Sequence, residues 1–239
     1  MKRANMTTDL QLPAPFNRLH GDIQDALRSI ATSYELKYRE ALYQQGDVAH
    51  SMYVIQRGGI RLVEATPEGR SVAQKVYGAG DVMGMLALSQ TFLHPSRAEA
   101  VVGDTLVFGF RGQEVRAIMR QYADLAILIM DMLVEHVQHS HHRLRQVMLE
   151  RVERRLARGL LHYASKFGEP DADDGSILIG VPISQQDMAQ FTGATIETVN
   201  RTLKIWEERD IIRCQRQRVV LLDSDVLERI AEDNMYSVM

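Results

Sequence analysis

The sequence contains a single cysteine, Cys214, and no long apolar run. One thiol excludes an intrachain disulfide and any zinc or iron–sulfur site built from several thiolates, and it favours a reducing compartment. The longest apolar run, 125–130, ends at Asp131, far short of the roughly 20 residues that span a bilayer. The N-terminus lacks the apolar core of a secretory signal. These absences predict a cytoplasmic protein with no membrane partner.

The chain also lacks an excess of charge of either sign. Its 239 residues include 28 lysines and arginines against 31 acidic residues, a net charge of -3. A whole-chain balance of this kind does not indicate a nucleic-acid partner, which more often appears as a strongly basic composition. With 45% hydrophobic and 25% charged residues, the composition is typical of a globular protein and excludes collagen-like and disordered chains.

Glycine punctuates the first part of the chain. It recurs at intervals near ten residues between Tyr34 and Phe110, and short runs such as 52–55 and 60–63, rich in β-branched and aromatic residues, lie between the glycines. Many short strands with regular turns predict an antiparallel sandwich or barrel, and we expect a jelly roll, that is, a double-stranded β-helix, over residues 16–112.

The pattern turns helical over residues 113–149, where glycine is absent. Apolar positions recur alternately three and four residues apart over more than three heptads, with one polar interruption, which is the spacing of a coiled-coil seam. These positions are Ala123, Ala126, Met130, Leu133, Val137, Ser140, Leu144 and Val147. The seam favours a parallel homodimer through this helix, and the alternative is a helix that lies along its own domain.

Residues 150–239 predict a separate module that begins with a helix and an acidic, turn-rich surface loop at 168–175. Ser184 and Asp187 have the spacing of a capping box at the start of the next helix. Gly193 then breaks this helix, and Thr195 caps another that extends to about Arg209. Two helices joined by a glycine-containing turn predict a helix-turn-helix, with an ordinary helical hairpin as the alternative.

Two short strands, 211–213 and 219–222, follow and predict a wing whose tip is suited to phosphate contacts through Arg216 and Arg218. Residues 209–218 contain four arginines against one acid, Asp210, so this segment is basic although the whole chain is not.

The start of the second helix presents Ile196, Glu197, Asn200 and Arg201 outward. The corresponding part of a helix-turn-helix enters the major groove of DNA. There glutamate can accept from cytosine, arginine can donate to guanine and an apolar side chain can touch a thymine methyl group. Glu197 and Arg201 could instead form an i,i+4 ion pair, but base reading is the better interpretation inside this motif.

The order of jelly roll, long helix and winged helix-turn-helix resembles the CRP/FNR superfamily of bacterial transcription regulators, an α+β architecture. The resemblance is sharpest in Gly80-Asp81-Val82-Met83-Gly84 and in Thr195-Ile196-Glu197-Thr198-Val199-Asn200-Arg201. It implies a homodimer that reads palindromic DNA and contacts RNA polymerase.

The resemblance also implies roles for individual residues. Glu197 and Arg201 would read the core of a half-site, while Ser184 and Gln186 would touch phosphates. Ile196 stands where the cyclic-AMP branch has arginine, which is similar to the FNR/FixK branch, whose half-sites resemble TTGA. We therefore expect a TTGA-N6-TCAA-like palindrome, although Asn200 replaces the serine common in that branch. Further candidate DNA contacts are Thr195 and Lys204.

In the first domain, the pattern departs from the members that bind cyclic AMP. Gly84 is followed by Met85 where the resemblance implies a ribose-binding glutamate, and Arg97 is displaced by about two positions from the arginine that would bind the phosphate. We therefore expect Gly84, Met85 and Arg97 to mark a degenerate effector pocket, with no cyclic-AMP response and no cofactor. One cysteine also excludes the four-cysteine cluster of FNR proper. An effector-free regulator fits this pattern.

Other sensing modes remain open. Haem could be ligated by His50 or His94, and His136, His139 and His142 could hold a metal, although a solvated helix face explains them better. Cys214 lies beside arginines that could lower its pKa, which suggests a redox switch at the DNA interface.

An enzyme is not expected. Metal enzymes of the cupin kind need a His-x-His motif inside the roll, and the His-x-His of this chain, at His139 and His141, falls on the long helix instead.

Overall fold

The computed structural model describes residues 2–4, 10–65, 71–89, 92–215 and 218–232. The chain forms two compact units, Met1–His139 and Ser140–Met239. The helices are α1 (Gly21–Ser29), α2 (Gly112–Gln121), α3 (Ala123–Leu149), α4 (Val152–Phe167), α5 (Gln185–Thr192), α6 (Ile196–Glu208) and α7 (Ser224–Glu232). The strands of the first unit are β1 (Lys2–Ala4), β2 (Ala31–Leu36), β3 (Ala41–Tyr43), β4 (Ser51–Arg57), β5 (Gly59–Ala65), β6 (Ser71–Gly78), β7 (Val82–Met83), β8 (Arg97–Ala100) and β9 (Thr105–Arg111).

Two antiparallel sheets build the first unit. One has the strand order β1-β2-β9-β4-β7 and the other the order β3-β8-β5-β6. Residues of β4 alternate between the two faces of the first sheet, as the pleat requires. Tyr53 and Ile55 join a buried cluster that also includes Ile60 and Ala98 of the second sheet. The expectation of a β-rich jelly roll is confirmed.

The opposite face of the first sheet packs on helices. Met52 and Val54 of β4 belong to a second buried cluster together with Ile23 of α1, Val115 of α2 and Leu125 of α3. Because Leu125 is buried in this cluster, the start of α3 packs as part of the first unit.

The predicted helical stretch 113–149 is two helices rather than one. α2 ends at Gln121, where Tyr122 adopts an extended backbone (φ -125°, ψ 103°), and α3 begins at Ala123. The sequence pattern missed this break because neither glycine nor proline marks it. The seam that begins at Ala123 lies entirely on α3, and the boundaries 16–112, 113–149 and 150–239 stay predictions.

The second unit combines α4 to α7 with a small antiparallel sheet. Its strands are β10 (Gly168–Pro170), β11 (Ile177–Ile179), β12 (Ile212–Gln215) and β13 (Arg218–Leu221), in the order β10-β11-β13-β12. The expectation of a surface loop over 168–175 is wrong at its start, because residues 168–170 pair with β11. The predicted wing corresponds to β12 and β13, which pair in antiparallel fashion.

Candidate nucleic-acid interface

The first helix of the predicted helix-turn-helix, α5, begins with the expected capping box. The Ser184 hydroxyl accepts from the Asp187 N–H at 3.1 Å, and the Asp187 carboxylate accepts from the Ser184 N–H at 2.9 Å. The hydroxyl also donates to the same carboxylate at 2.7 Å. These bonds satisfy N–H groups that the start of a helix leaves without partners. The Ser184 hydroxyl is therefore engaged within the protein before any phosphate approaches.

The turn between α5 and α6 has the geometry that its sequence requires. Gly193 has a φ of 64°, in the left-handed region that favours glycine. Thr195 then caps α6, because its hydroxyl accepts from the Thr198 N–H at 3.2 Å. Behind the turn, Val199 and Leu203 are buried and hold α6 against the rest of the unit.

The outer face of α6 is open to solvent. Ile196 is 39% exposed. Glu197 and Arg201 are exposed and lie one helical turn apart on the same face. Within the part of the chain that the structure describes, the two side chains do not form the i,i+4 ion pair that was their alternative explanation. The other exposed candidate contacts are Gln186, Thr195, Lys204 and Arg218. The helix-turn-helix thus brings the predicted contacts of α5 and α6 together in one unit.

Asn200 differs from the outward orientation that its position suggested. The residue is only half-exposed, and its side-chain oxygen is buried and has no hydrogen-bond partner. A buried polar atom without a partner costs about 1–3 kcal/mol. Asn200 is therefore less accessible to a base than its neighbour Arg201.

The wing adds exposed arginines to the same unit. Arg213 lies on β12 and Arg218 on β13, and both are exposed. Arg216, the other predicted wing contact, lies outside the described residues.

The lowered pKa expected for Cys214 is wrong. Burial raises the pKa of this thiol to about 11, and the Glu207 carboxylate acts in the same direction through its charge and a hydrogen bond. The same carboxylate accepts from the Cys214 N–H at 2.8 Å. Arg213 is adjacent in sequence, but burial and, after it, the Glu207 carboxylate set the direction of the shift. A thiol with a raised pKa is a poor nucleophile at neutral pH, which disfavours a redox switch, and a redox role of the exposed Cys214 stays a prediction.

Two family models match the chain in the order of its two units. Residues 35–122 match the cyclic nucleotide-binding domain, and residues 154–230 match the Crp-like helix-turn-helix domain. The chain belongs to the CRP/FNR superfamily of transcription regulators. It is thus a DNA-binding transcription regulator and not an enzyme, as expected from the sequence.

Relatives and solved structures of the superfamily cover most of the chain. The nitrogen fixation regulation protein FixK of Rhizobium meliloti is 29% identical over 75% of this chain and 77% of its own length. The anaerobic regulatory protein of Bacillus subtilis is 23% identical over 88% and 87%, respectively. The structure of FixK2 from Bradyrhizobium japonicum, 21% identical, covers 84% of this regulator and 97% of its own chain with a TM-score of 0.69, which supports the fold.

In the roll of the regulator, Gly84 is held by close packing. It has a φ of 76°, and a β-carbon there would lie 2.9 Å from the Ser51 carbonyl oxygen and 3.1 Å from the Tyr53 ring. Met85 begins the short 3-10 turn that follows. Gly84 is therefore required by the local backbone, independently of any ligand.

Arg97 lies on the outer face of its sheet. It pairs with Val63 across β5, whereas the next residue, Ala98, is fully buried between the sheets, and neighbouring residues of a strand point to opposite faces. The Arg97 guanidinium forms an ion pair with buried Glu99 at 3.0 Å and donates to the Arg39 carbonyl at 3.2 Å. These partners keep Arg97 away from the interior of the roll.

The histidines considered as haem or metal ligands have other environments. His94 is buried and stacks on Tyr43 with ring centroids 3.5 Å apart, while His50 is exposed. Burial lowers the pKa of His94. Among the described residues, no group of three or more His, Cys, Asp or Glu side chains could hold a metal, and this includes the histidines of α3. The described helices also include none that is long and apolar enough to cross a membrane.

The sequence analysis missed a set of arginines on α4. Arg155 donates to the carbonyl oxygens of Glu150 and Thr192, so it connects the segment after α3 with the end of α5. Arg158 forms an ion pair with the Glu150 carboxylate at 2.7 Å. The i,i+4 spacing of Glu150 and Arg154 was the one visible signal of this cluster, and it gave no hint of the distant carbonyl groups.

Proposed function

We propose that this regulator binds a TTGA-N6-TCAA-like palindrome as a homodimer, in the manner of the FNR/FixK branch, and contacts RNA polymerase from the bound site. The observation that carries the proposal is the exposed start of α6, where Ile196, Glu197 and Arg201 can meet base edges. Arginine donates in bidentate fashion to guanine, glutamate accepts from cytosine and isoleucine can contact a thymine methyl group. The similarity to FixK supports this branch.

The two faces of α3 support the homodimer. Leu125 and Ile129 are buried in the first unit, with 0% and 2% exposure. Met130 and Val137, by contrast, are 56% and 51% exposed on the same helix. Further exposed apolar residues of α3 are Ile127, Leu133, Val134, Leu144 and Met148. At 3-4 spacing such residues form the seam of a coiled coil, and a second copy of the chain supplies the matching seam.

The spacing of the proposed palindrome agrees with such a dimer. Four-base half-sites separated by six base pairs have centres about 10 base pairs apart, which is one turn of DNA. Two recognition helices related by a two-fold axis therefore reach successive major grooves on the same side of the duplex.

The interior of the roll supports activity without cyclic AMP. Tyr53 lies between Tyr34 and Tyr43, with ring centroids 6.2 Å and 5.8 Å away, and Tyr77 belongs to the same buried cluster. These rings occupy interior space, and Met85 replaces the glutamate that the resemblance implies for ribose binding. The raised pKa of the Cys214 thiol disfavours its oxidation, and the proposal does not depend on a redox response through this residue.

The test of DNA recognition compares three labelled duplexes by fluorescence anisotropy at fixed salt. They carry the TTGA palindrome, a palindrome with TGTGA half-sites and a scrambled sequence. We expect tightest binding to the TTGA duplex, unchanged by cyclic AMP. Equal or tighter binding to TGTGA half-sites, or a response to cyclic AMP, would contradict the proposal.

The test of dimerisation uses sedimentation velocity with two neighbouring charge substitutions. Val137→Glu places a carboxylate in the apolar seam and is expected to yield monomers. Gln138→Glu adds the same charge at the next, exposed position and is expected to leave the dimer intact. A monomeric wild-type protein, or a dimeric Val137→Glu variant, would contradict dimerisation through α3.

A further inference from the structure

The second unit contains three arginines, Arg154, Arg155 and Arg158, that project from one helix, α4, toward the ends of other helices. The last turn of a helix leaves carbonyl oxygens without intrahelical partners and carries partial negative charge. A guanidinium is suited to such ends because its five N–H groups form a rigid fork. We call these three residues the arginine set.

Arg155 joins two segments at once. Its Nε donates to the carbonyl oxygen of Thr192, the last residue of α5, at 2.6 Å. Its Nη1 donates to the carbonyl oxygen of Glu150, the residue that follows α3. One planar group thus connects the end of α3 to the residue next to Gly193 in the turn of the helix-turn-helix.

Arg154 and Arg158 connect Glu150, the residue after α3, to the end of α7. Both donate to the Ala231 carbonyl oxygen near the end of α7, at 2.9 Å and 2.7 Å. The Glu150 carboxylate lies 2.7 Å from Arg158 and 3.9 Å from Arg154, and its side chain is only 14% exposed. Ion pairs with little exposure are screened less by salt than surface pairs. Glu150 is therefore bound through its backbone and through its side chain.

The packing of α4 leaves little freedom for these contacts to shift. Leu156 and Leu160 are fully buried. A β-carbon at Gly159 would lie 2.0 Å from the Phe191 ring, so α4 and α5 are in direct contact at this point. The end of α3 and the helix-turn-helix are therefore linked through one rigid helix.

We infer that the arginine set and Glu150 position the helix-turn-helix on the end of α3 and thereby set the half-site spacing that the regulator accepts. Arg155 acts as a positioning residue, since its guanidinium donates to the carbonyl oxygens of Thr192 and Glu150 within the protein. The inference rests on the proposed homodimer through α3. In such a dimer, the separation of the two α6 helices depends on how each is held relative to its own α3. One base pair of spacing rotates a half-site by about 35°, so loss of this link should appear first as tolerance of wrong spacers.

The experiment measures binding to duplexes whose TTGA half-sites are separated by five, six or seven base pairs. Arg155→Lys keeps the charge, but a single ammonium group does not reproduce the fork that spans two carbonyl groups. Glu150→Gln removes the charge that pairs with Arg158 and keeps the shape of the side chain. The matched control is Arg229→Lys, which changes an exposed arginine on α7.

For the wild type and the control we expect a clear preference for the six-base-pair spacer. In Arg155→Lys and Glu150→Gln this preference should fall about tenfold, the effect of losing one charge-assisted hydrogen bond. The preference for TTGA over a mismatched half-site should stay unchanged, because α6 itself is intact. Thermal unfolding of each variant is measured in parallel.

Three results would overturn the inference. If both variants melt at lower temperature but keep the wild-type spacer preference, the arginine set only stabilises the fold. If Arg155→Lys does not fold, the test depends on Glu150→Gln alone. A wild-type preference for the six-base-pair spacer in Glu150→Gln then refutes the inference. If the wild type binds none of the palindromes or binds as a monomer, the proposed function fails first and takes the inference with it.

Discussion

The interior of the β-roll and the outer face of α6 are the two places where a regulator of this superfamily would meet a ligand, and they are built in opposite ways. In the roll, Tyr53 and Tyr77 are each 8% exposed, and burial raises the pKa of both phenols to about 12. On α6, Glu197 and Arg201 are exposed. One region is filled by its own side chains, while the other presents side chains whose bonding capacity is still available.

The difference separates stability from recognition. Substitutions in the filled region should change the free energy of unfolding, because they remove packing contacts. Substitutions on the open face should change DNA affinity and leave unfolding nearly unaltered, because solvent already surrounds these side chains. Each of the following variants tests one side of this contrast.

The largest effect is expected for Tyr53→Ala in the filled region. Loss of a buried aromatic side chain should lower the free energy of unfolding by about 3–5 kcal/mol, measured by urea denaturation. Tyr38→Ala is the matched control, since Tyr38 is 45% exposed, and we expect less than about 1 kcal/mol there. Equal losses in the two variants would show that the tyrosine cluster is not tightly packed.

On the open face, Arg201→Ala should weaken binding to the palindrome by about 1–3 kcal/mol at each half-site and relax the preference for one base. Its unfolding free energy should stay within about 0.5 kcal/mol of the wild type. Anisotropy titrations and urea denaturation measure the two quantities, and Arg229→Ala on α7 is the control. If Arg201→Ala lowers the free energy of unfolding enough to explain its weaker DNA binding, the open face of α6 contributes to stability and the two regions do not differ as proposed.

Ser184 tests a residue that was assigned to the open face but is bonded inside the protein. Ser184→Ala removes the cap of α5 and should lower the free energy of unfolding by about 1 kcal/mol. Ser165→Ala, at an exposed hydroxyl that donates to the His162 carbonyl in its own helix, should cost nothing measurable. If DNA affinity falls further than the stability loss explains, Ser184 also contacts phosphate as predicted.

The smallest effect concerns pH and His94. Burial lowers the pKa of His94 below its ordinary value of 6.5, so the unfolded chain binds the proton more tightly than the folded protein. The stabilisation is fully present above pH 6.5 and is lost as the pH falls through 6.5 toward the lower value of the folded state. His94→Phe keeps a ring against Tyr43 and removes the titration.

Urea midpoints at about pH 8 and about pH 5.5 should therefore fall less on acidification in His94→Phe than in the wild type. Equal falls would mean that His94 does not contribute to the pH dependence of stability. The comparison requires only the relative change, because groups distant from His94 titrate alike in both proteins.

Much of the DNA-reading module was predictable because its signals are local. The capping box of Ser184 and Asp187, the left-handed Gly193 and the cap at Thr195 each depend on residues three or fewer positions apart. The buried side of α6, with Val199 and Leu203, follows from helical periodicity. The predicted contacts on α5 and α6 therefore lie in the expected helix-turn-helix, although their roles in DNA binding stay predictions.

Local patterns failed where distant groups decide the outcome. Arginines near Cys214 in sequence suggested a low pKa, but burial and then the Glu207 carboxylate raise the pKa of this thiol. The break at Tyr122 carries no glycine or proline to mark it. Gly168 and Pro170 are typical of a loop, yet both lie on the strand that pairs with β11. The bonds of Arg155 to Thr192 join residues 37 positions apart, and no periodicity encodes such a pair.

The amino-acid order alone thus specified the jelly roll, the long helix and the helix-turn-helix, because turn chemistry, capping and apolar spacing act within a few residues of the chain. Tertiary packing decided the environment of Cys214, the outward position of Arg97 and the links made by Arg155. In these cases the deciding factor is burial or a carboxylate, carbonyl oxygen or second strand that folding brings close, and desolvation, electrostatic and hydrogen-bonding energies depend on what lies near in space. Only the fold therefore showed that the pKa of the single cysteine, whose lack of a second thiol excluded disulfides and thiolate metal sites, is raised rather than lowered.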